Sequence, residues 1–194
     1  MKRIAVFVSG NGSNFENITR FLHGNDNAQV ALLVSNRPDA YALQRASRLG
    51  VESVVWTKTD FADEQRTIQM LTDHNIHFIV LAGFLLMVPS YLIRHFPNCI
   101  INIHPSLLPK YGGKGMYGNH VHEAVKENGE KETGITIHYV SEVCDGGETI
   151  LQVSTPLSPL DSVDDIAEKV HQLEKEYFPK TVLEILTPKN NLKI

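Results

Sequence analysis

Two cysteines, Cys99 and Cys144, are all that this 194-residue chain contains. They make no disulfide framework and no CxxC metal spacing, which points to a reducing, cytoplasmic setting. A basic excess is also missing: 18 Lys and Arg stand against 22 Asp and Glu, for a net charge of −4. That argues against a nucleic-acid partner, which would want a broad positive footprint, and leaves room for a local anion pocket. No apolar run approaches the roughly 20 residues of a membrane span. Met1-Lys2-Arg3 followed by Ile4–Val8 has the outline of a signal start. The run stops at Ser9-Gly10-Asn11, short of an apolar signal core of about 7–15 residues. Internal repeats and low-complexity stretches are absent as well. What remains is ordinary: 42% hydrophobic and 21% charged residues, the composition of a globular domain with a full-sized core. One domain over residues 1–194 is expected.

The chain is organised around Asn102-Ile103-His104-Pro105-Ser106-Leu107-Leu108-Pro109. The preceding Cys99-Ile100-Ile101 reads as a short buried strand with proline on both sides. In an extended chain Asn102 and His104 share a face. Pro105 keeps His104 out of the helical region. A polar pair at the carboxyl end of a sheet strand is where open α/β folds place ligands. A turn with a solvated histidine gives the same spacing.

The chain in order predicts alternating strands and helices. Arg3–Val8 is a continuous apolar strand of the kind buried on both faces of a parallel sheet. The loop Ser9-Gly10-Asn11-Gly12-Ser13-Asn14 leads into a helix carrying Phe15, Ile18, Phe21 and Leu22. Strands at Gln29–Val34, Ser53–Trp56, His77–Leu81 and Cys99–Ile103 alternate with helices at Ala40–Leu49, Ala62–His74 and Ser90–His95. Gly134–Val140 and Glu148–Val153 read as further strands. Asp161–Leu186 reads as a long helix interrupted at Pro179, with Glu174 at a mid-helix, solvated position. The expected fold is a doubly wound, mostly parallel α/β sheet of about seven strands with helices on both faces.

Strand, glycine loop and helix aim backbone N–H groups and a positive dipole end at an anion. A dinucleotide fingerprint needs a third small residue where Phe15 and Glu16 stand, and an acid after the second strand, where Ser35-Asn36-Arg37-Pro38 stands. The Lys-Ser/Thr of a P-loop is missing too. A small phosphomonoester is the better candidate, with a plain glycine turn as the alternative. Leu85-Leu86-Met87-Val88 stays apolar in a loop at the same sheet edge. It suits a wall for a flat, mostly apolar ligand, or packing under the short helix. Lys110–Asn119 holds Gly112, Gly113, Gly115 and Gly118 with Lys114, an exposed, flexible run suited to a lid. His120 and His122 stand two apart at a helix start, where they diverge without an acidic or thiol partner, so no metal is expected.

Ser9–Asn14, Leu81-Ala82-Gly83-Phe84, Asn102–Tyr111 and Asp145-Gly146-Gly147 together resemble the phosphoribosylglycinamide formyltransferases, folate-dependent enzymes of purine synthesis. The Asn-x-His-Pro-Ser-Leu-Leu-Pro motif is common to transferases and hydrolases of N10-formyltetrahydrofolate. The glycine-asparagine loop narrows the set to this transferase and formyltetrahydrofolate deformylase. The resemblance implies a single formyltransferase-fold domain acting on glycinamide ribonucleotide, with 10-formyltetrahydrofolate as co-substrate and no metal. It implies that Asn102, His104 and Asp145 are catalytic, and that Asp145 raises the pKa of His104. It also implies that Gly12, Ser13, Asn14, Gly83 and Glu174 hold the ribonucleotide, and that Leu85, Leu86, Met87, Val88 and Asn102 line the folate side. Two departures stand out. The segment after Tyr111 is longer and richer in glycine than is common in the family, and Leu86 stands where arginine is often found.

The resemblance implies partners that are small molecules, in a monomer or homodimer, with neither nucleic acid nor membrane involved. The deformylases carry an extra N-terminal regulatory domain, whereas this chain starts directly at the first strand. Methionyl-tRNA formyltransferase adds a C-terminal RNA-binding domain and lacks the Ser-Asn loop. A non-catalytic folate- or nucleotide-binding module would keep the glycine loop without needing three converging polar residues.

Overall fold

The computed structural model describes residues 1–187. Its strands are β1 (Lys2–Val8), β2 (Ala28–Ser35), β3 (Glu52–Val55), β4 (Phe78–Leu81), β5 (Ile100–His104), β6 (Glu132–Tyr139) and β7 (Thr149–Pro156). They form one sheet in the order β3-β2-β1-β4-β5-β6-β7. The first five run parallel, whereas β6 is antiparallel to β5 and β7 to β6. The helices are α1 (Ser13–Phe21), α2 (Tyr41–Leu49), α3 (Lys58–Phe61), α4 (Glu64–Asp73), α5 (Ser90–His95), α6 (Asn119–Glu127) and α7 (Val163–Leu186). This is the expected doubly wound, mostly parallel α/β architecture.

Strand alternation divides the core into two layers. Ile4, Val6 and Val8 of β1 face one way, where they join Phe15 and Ile18 of α1, Ala42 and Ala46 of α2, and Val170, Phe178 and Val182 of α7. Ala5 and Phe7 face the other way, with Trp56, Phe61, Leu71 and Leu92. Each fully buried large apolar side chain contributes roughly 1.5–3 kcal/mol. Such strands must be apolar throughout, which is why β1 and β4 read as unbroken runs. After β1 the chain crosses to β2 on one side of it, and β4 later returns on the other. The crevice at that reversal opens at the carboxyl ends of β1 and β4.

The helix expected over residues 62–74 forms as α4, started where the Asp63 side chain accepts the Arg66 N–H, and a one-turn helix that was not expected, α3, precedes it on the Thr57–Asp60 capping box. Two local expectations change. The long terminal helix is not interrupted: α7 runs 24 residues straight through Pro179. Pro179 has no N–H to donate to the Lys175 carbonyl one turn back. The Asn17 Nδ2–H of α1 takes that carbonyl instead, at 2.8 Å. Glu174 is not solvated either. It is buried against α1, where its Oε2 accepts the Asn14 Nδ2–H at 3.0 Å.

Candidate active site

The β1 loop is built to leave backbone donors free. Gly12 is the N-cap of α1 at φ 76°, with no side-chain cap. A Cβ on Gly12 would meet the Ala42 Cβ at 2.5 Å, so the loop packs on α2 as only glycine allows. Behind it, Arg45 donates to the Asn11 carbonyl at 2.9 Å and to Asn11 Oδ1 at 2.8 Å, and it pairs with Glu16. The first-turn N–H groups of α1 have no intrahelical acceptor, and Gly12, Ser13 and Asn14 line the cavity. Ser9 ties three strand ends together. Its N–H donates to the Gly83 carbonyl at 3.0 Å, its hydroxyl donates to Asn36 Oδ1 at 2.6 Å, and its Oγ accepts the Leu85 N–H at 2.8 Å.

At the end of β5 both Asn102 and His104 reach the same cavity. The segment behind them is held by Thr136 of β6. Its Oγ1 accepts the Leu108 N–H at 3.0 Å, and its hydroxyl donates to the Ser106 carbonyl at 2.7 Å. Asp145 arrives from the β6–β7 loop with φ 52°. Its Oδ2 accepts the Gly113 N–H at 2.9 Å and lies 3.6 Å from His104 Nδ1. The three residues singled out as catalytic thus converge.

The His104 ring is held at both ends. Nε2–H donates to the Tyr111 carbonyl at 2.7 Å, which leaves Nδ1 as the nitrogen beside Asp145. As expected, the Asp145 charge acts to raise the His104 pKa, but the net shift is downward. Burial pushes this imidazole below its ordinary value, and the Asp145 charge and the Tyr111 carbonyl only partly offset it. For Asp145 burial works upward, but His138, the Gly113 N–H and His104 together hold the carboxyl below its usual range. At Glu174 burial prevails and raises the pKa against the Asn14 hydrogen bond.

His138 is the residue that sequence reasoning missed. It sits directly across from Asn102 in the β5–β6 register. Its Nδ1–H donates to the Tyr139 carbonyl at 2.9 Å, so Nε2 of the neutral ring is an acceptor. The Asn102 Nδ2–H occupies that acceptor at 3.2 Å. His138 Nε2 also lies 3.6 Å from Asp145 Oδ1. The available signal was an alternating strand with His138 and Thr136 on one face. Only the register says what they meet.

These groups border one cavity of about 820 Å³, within the range typical of small-molecule sites. Gly12, Ser13, Asn14, Gly83 and Glu174 all line it. The apolar loop both lines the cavity and packs on the core. Leu86 and Val88 pack on the core beneath, whereas Leu85 and Met87 are 50% and 62% exposed along the cavity wall. Gly113, Lys114, Gly115 and Gly118 border the cavity too. His120 and His122 diverge as expected, but His120 does have an acidic partner: it is exposed beside Glu123, one turn on in α6, and the Tyr117 ring, whereas His122 is buried. Among the described residues no cluster of three or more His, Cys, Asp and Glu side chains is placed to hold a metal ion. No helix among them is long and apolar enough to cross a membrane.

Residues 2–182 match the family profile of formyl transferase. The chain is 38% identical over 187 residues to a chloroplastic phosphoribosylglycinamide formyltransferase of Arabidopsis thaliana, covering 93% of this chain and 64% of that protein. It is 37% identical over 191 residues to phosphoribosylglycinamide formyltransferase of Bacillus subtilis, covering 96% of this chain and 95% of that one. It therefore spans less than two thirds of the plant relative and nearly all of the bacterial one. A crystal structure of glycinamide ribonucleotide transformylase 1 from Geobacillus kaustophilus superposes with a TM-score of 0.87 at 36% identity, over 96% of this chain and 100% of that one.

Proposed function

The chain belongs to the formyl transferase family, and on that premise we propose that it transfers the formyl group of 10-formyltetrahydrofolate to the amine of glycinamide ribonucleotide. The observation that carries this reading is the meeting of Asn102, His104 and Asp145 in one cavity with a glycine loop whose helix-start amides are free. The Gly12–Asn14 loop suits the phosphate. The Leu85–Val88 loop, with Leu85 and Met87 exposed, suits the flat pterin ring.

The chemistry asks for three things. The formyl oxygen gains negative charge as the amine attacks, so donors aimed at it lower the barrier. One Asn102 N–H is committed to His138, which leaves its other N–H for that oxygen. The departing folate nitrogen needs a proton, and the attacking amine must lose one. His104 Nδ1 can deliver the first and recover the second, since Nε2 is committed to the Tyr111 carbonyl. The Asp145 carboxylate favours the charged ring while it waits. Protons given and taken balance.

Replacing His104 with Ala tests this reading. The folded variant should keep ribonucleotide affinity and lose at least about 100-fold in kcat, the usual scale of an acid–base group. Near-wild-type turnover would reject the assignment.

A further inference from the structure

Between the glycine loop and His104, the cavity wall carries two histidines to which the chemistry above gives no task. His122 stands in the first turn of α6, is 2% exposed, and has no hydrogen-bond partner for Nδ1 among the described residues. His171 of α7 packs against it edge to face, with ring centroids 6.4 Å apart at 84°. Nearly one turn further along α7, Glu174 accepts the hydrogen bond from Asn14. All of these residues border the cavity that also holds His104. They make a polar wall running from the anion cradle to the catalytic ring.

A buried ring nitrogen with no partner is uncommon, because burying it unpaired forfeits its bond to water. It is well used when a ligand supplies the missing partner. Burial, with His171 and His104 nearby, holds the His122 pKa down at about 4. At neutral pH the ring is therefore uncharged and offers one N–H and one lone pair. That suits a neutral polar group better than a phosphate. Between the phosphate and the amine of the ribonucleotide lie only such groups, the ribose hydroxyls and the amide.

We propose that His122 contacts the substrate, its Nδ1 hydrogen-bonding the uncharged stretch of the ribonucleotide between phosphate and amine, with His171 as the positioning residue that holds its ring. The inference rests on the formyl-transfer reading. Binding at this remote point fixes the amine relative to the formyl carbon, which converts affinity into orientation.

Two substitutions and one spectrum test it. His122→Phe keeps a ring of similar size and removes both nitrogens, whereas His122→Asn keeps a polar atom near the place of Nδ1. The phenylalanine variant should raise KM for glycinamide ribonucleotide about tenfold, the scale of one lost hydrogen bond, with KM for the folate unchanged. The asparagine variant should keep most of the wild-type value. An unchanged KM and kcat/KM in folded His122→Phe would overturn the proposal. In the unmodified protein, glycinamide ribonucleotide should move the ¹⁵N resonance of His122 Nδ1 and folate alone should not. An unmoved resonance at saturating ribonucleotide overturns the contact even if the variants fail to fold. A moved resonance without formyl transfer would keep the contact and sink the enzymatic reading instead.

Discussion

Asn102 donates to His138 across the antiparallel β5–β6 pair, Nδ2 to Nε2 at 3.2 Å, while the far side of the His138 ring is pinned to the Tyr139 carbonyl. The bond determines which way the Asn102 amide points. An unrestrained amide would present either its oxygen or its nitrogen to the formyl group, and only the nitrogen end stabilises a developing oxyanion.

His138→Ala should therefore lower kcat about tenfold, with KM for both substrates little changed, the expected scale for one lost orienting hydrogen bond. His138→Gln restores an acceptor and should recover part of the loss. Steady-state kinetics on folded variants check this. A rise in KM at constant kcat would mean that His138 serves binding rather than amide orientation.

Asp145 has a predictable effect on pH dependence. Its charge opposes the burial that lowers the His104 pKa. Asp145→Asn removes that opposition, so the His104 pKa falls further. If the imidazolium delivers the proton, kcat declines as pH rises through this pKa, and in the variant the decline begins at lower pH. A histidine NMR titration alongside the pH–rate profile reads both quantities. A His104 pKa that stays put or rises in Asp145→Asn contradicts this account.

The Asn17–Lys175 hydrogen bond should matter because Pro179 does. Asn17→Ala should cost about 0.5–1.5 kcal/mol in urea unfolding, by stripping the carbonyl that proline leaves open. In a Pro179→Ala background the backbone N–H of residue 179 can take that carbonyl, and the same Asn17 change should cost distinctly less. Equal costs in the two backgrounds, compared as a double-mutant cycle, would deny the coupling.

Much of the site was legible because its parts are local. β1 and β4 announce themselves as unbroken apolar runs, the Gly12 loop sits where a strand hands over to a helix, and Asn102 and His104 are two residues apart. What was not legible depends on partners distant in the chain. His138 acquires its purpose only from the β5–β6 register. The solvated reading of Glu174 fails because Asn14, 160 residues away, is its partner. The break expected at Pro179 fails because α1 supplies a donor from Asn17. The direction of the His104 shift depends on how deeply the ring is buried, and a carboxylate nearby could not reveal that.

This cavity is expected to move a formyl group from a reduced folate to an amine. The direct measurement follows folate absorbance with the protein and 10-formyltetrahydrofolate, first alone and then with glycinamide ribonucleotide. Conversion that starts only when the amine is added, with a formylated ribonucleotide as product, is the predicted result; conversion without the amine, or none in either case, would contradict it.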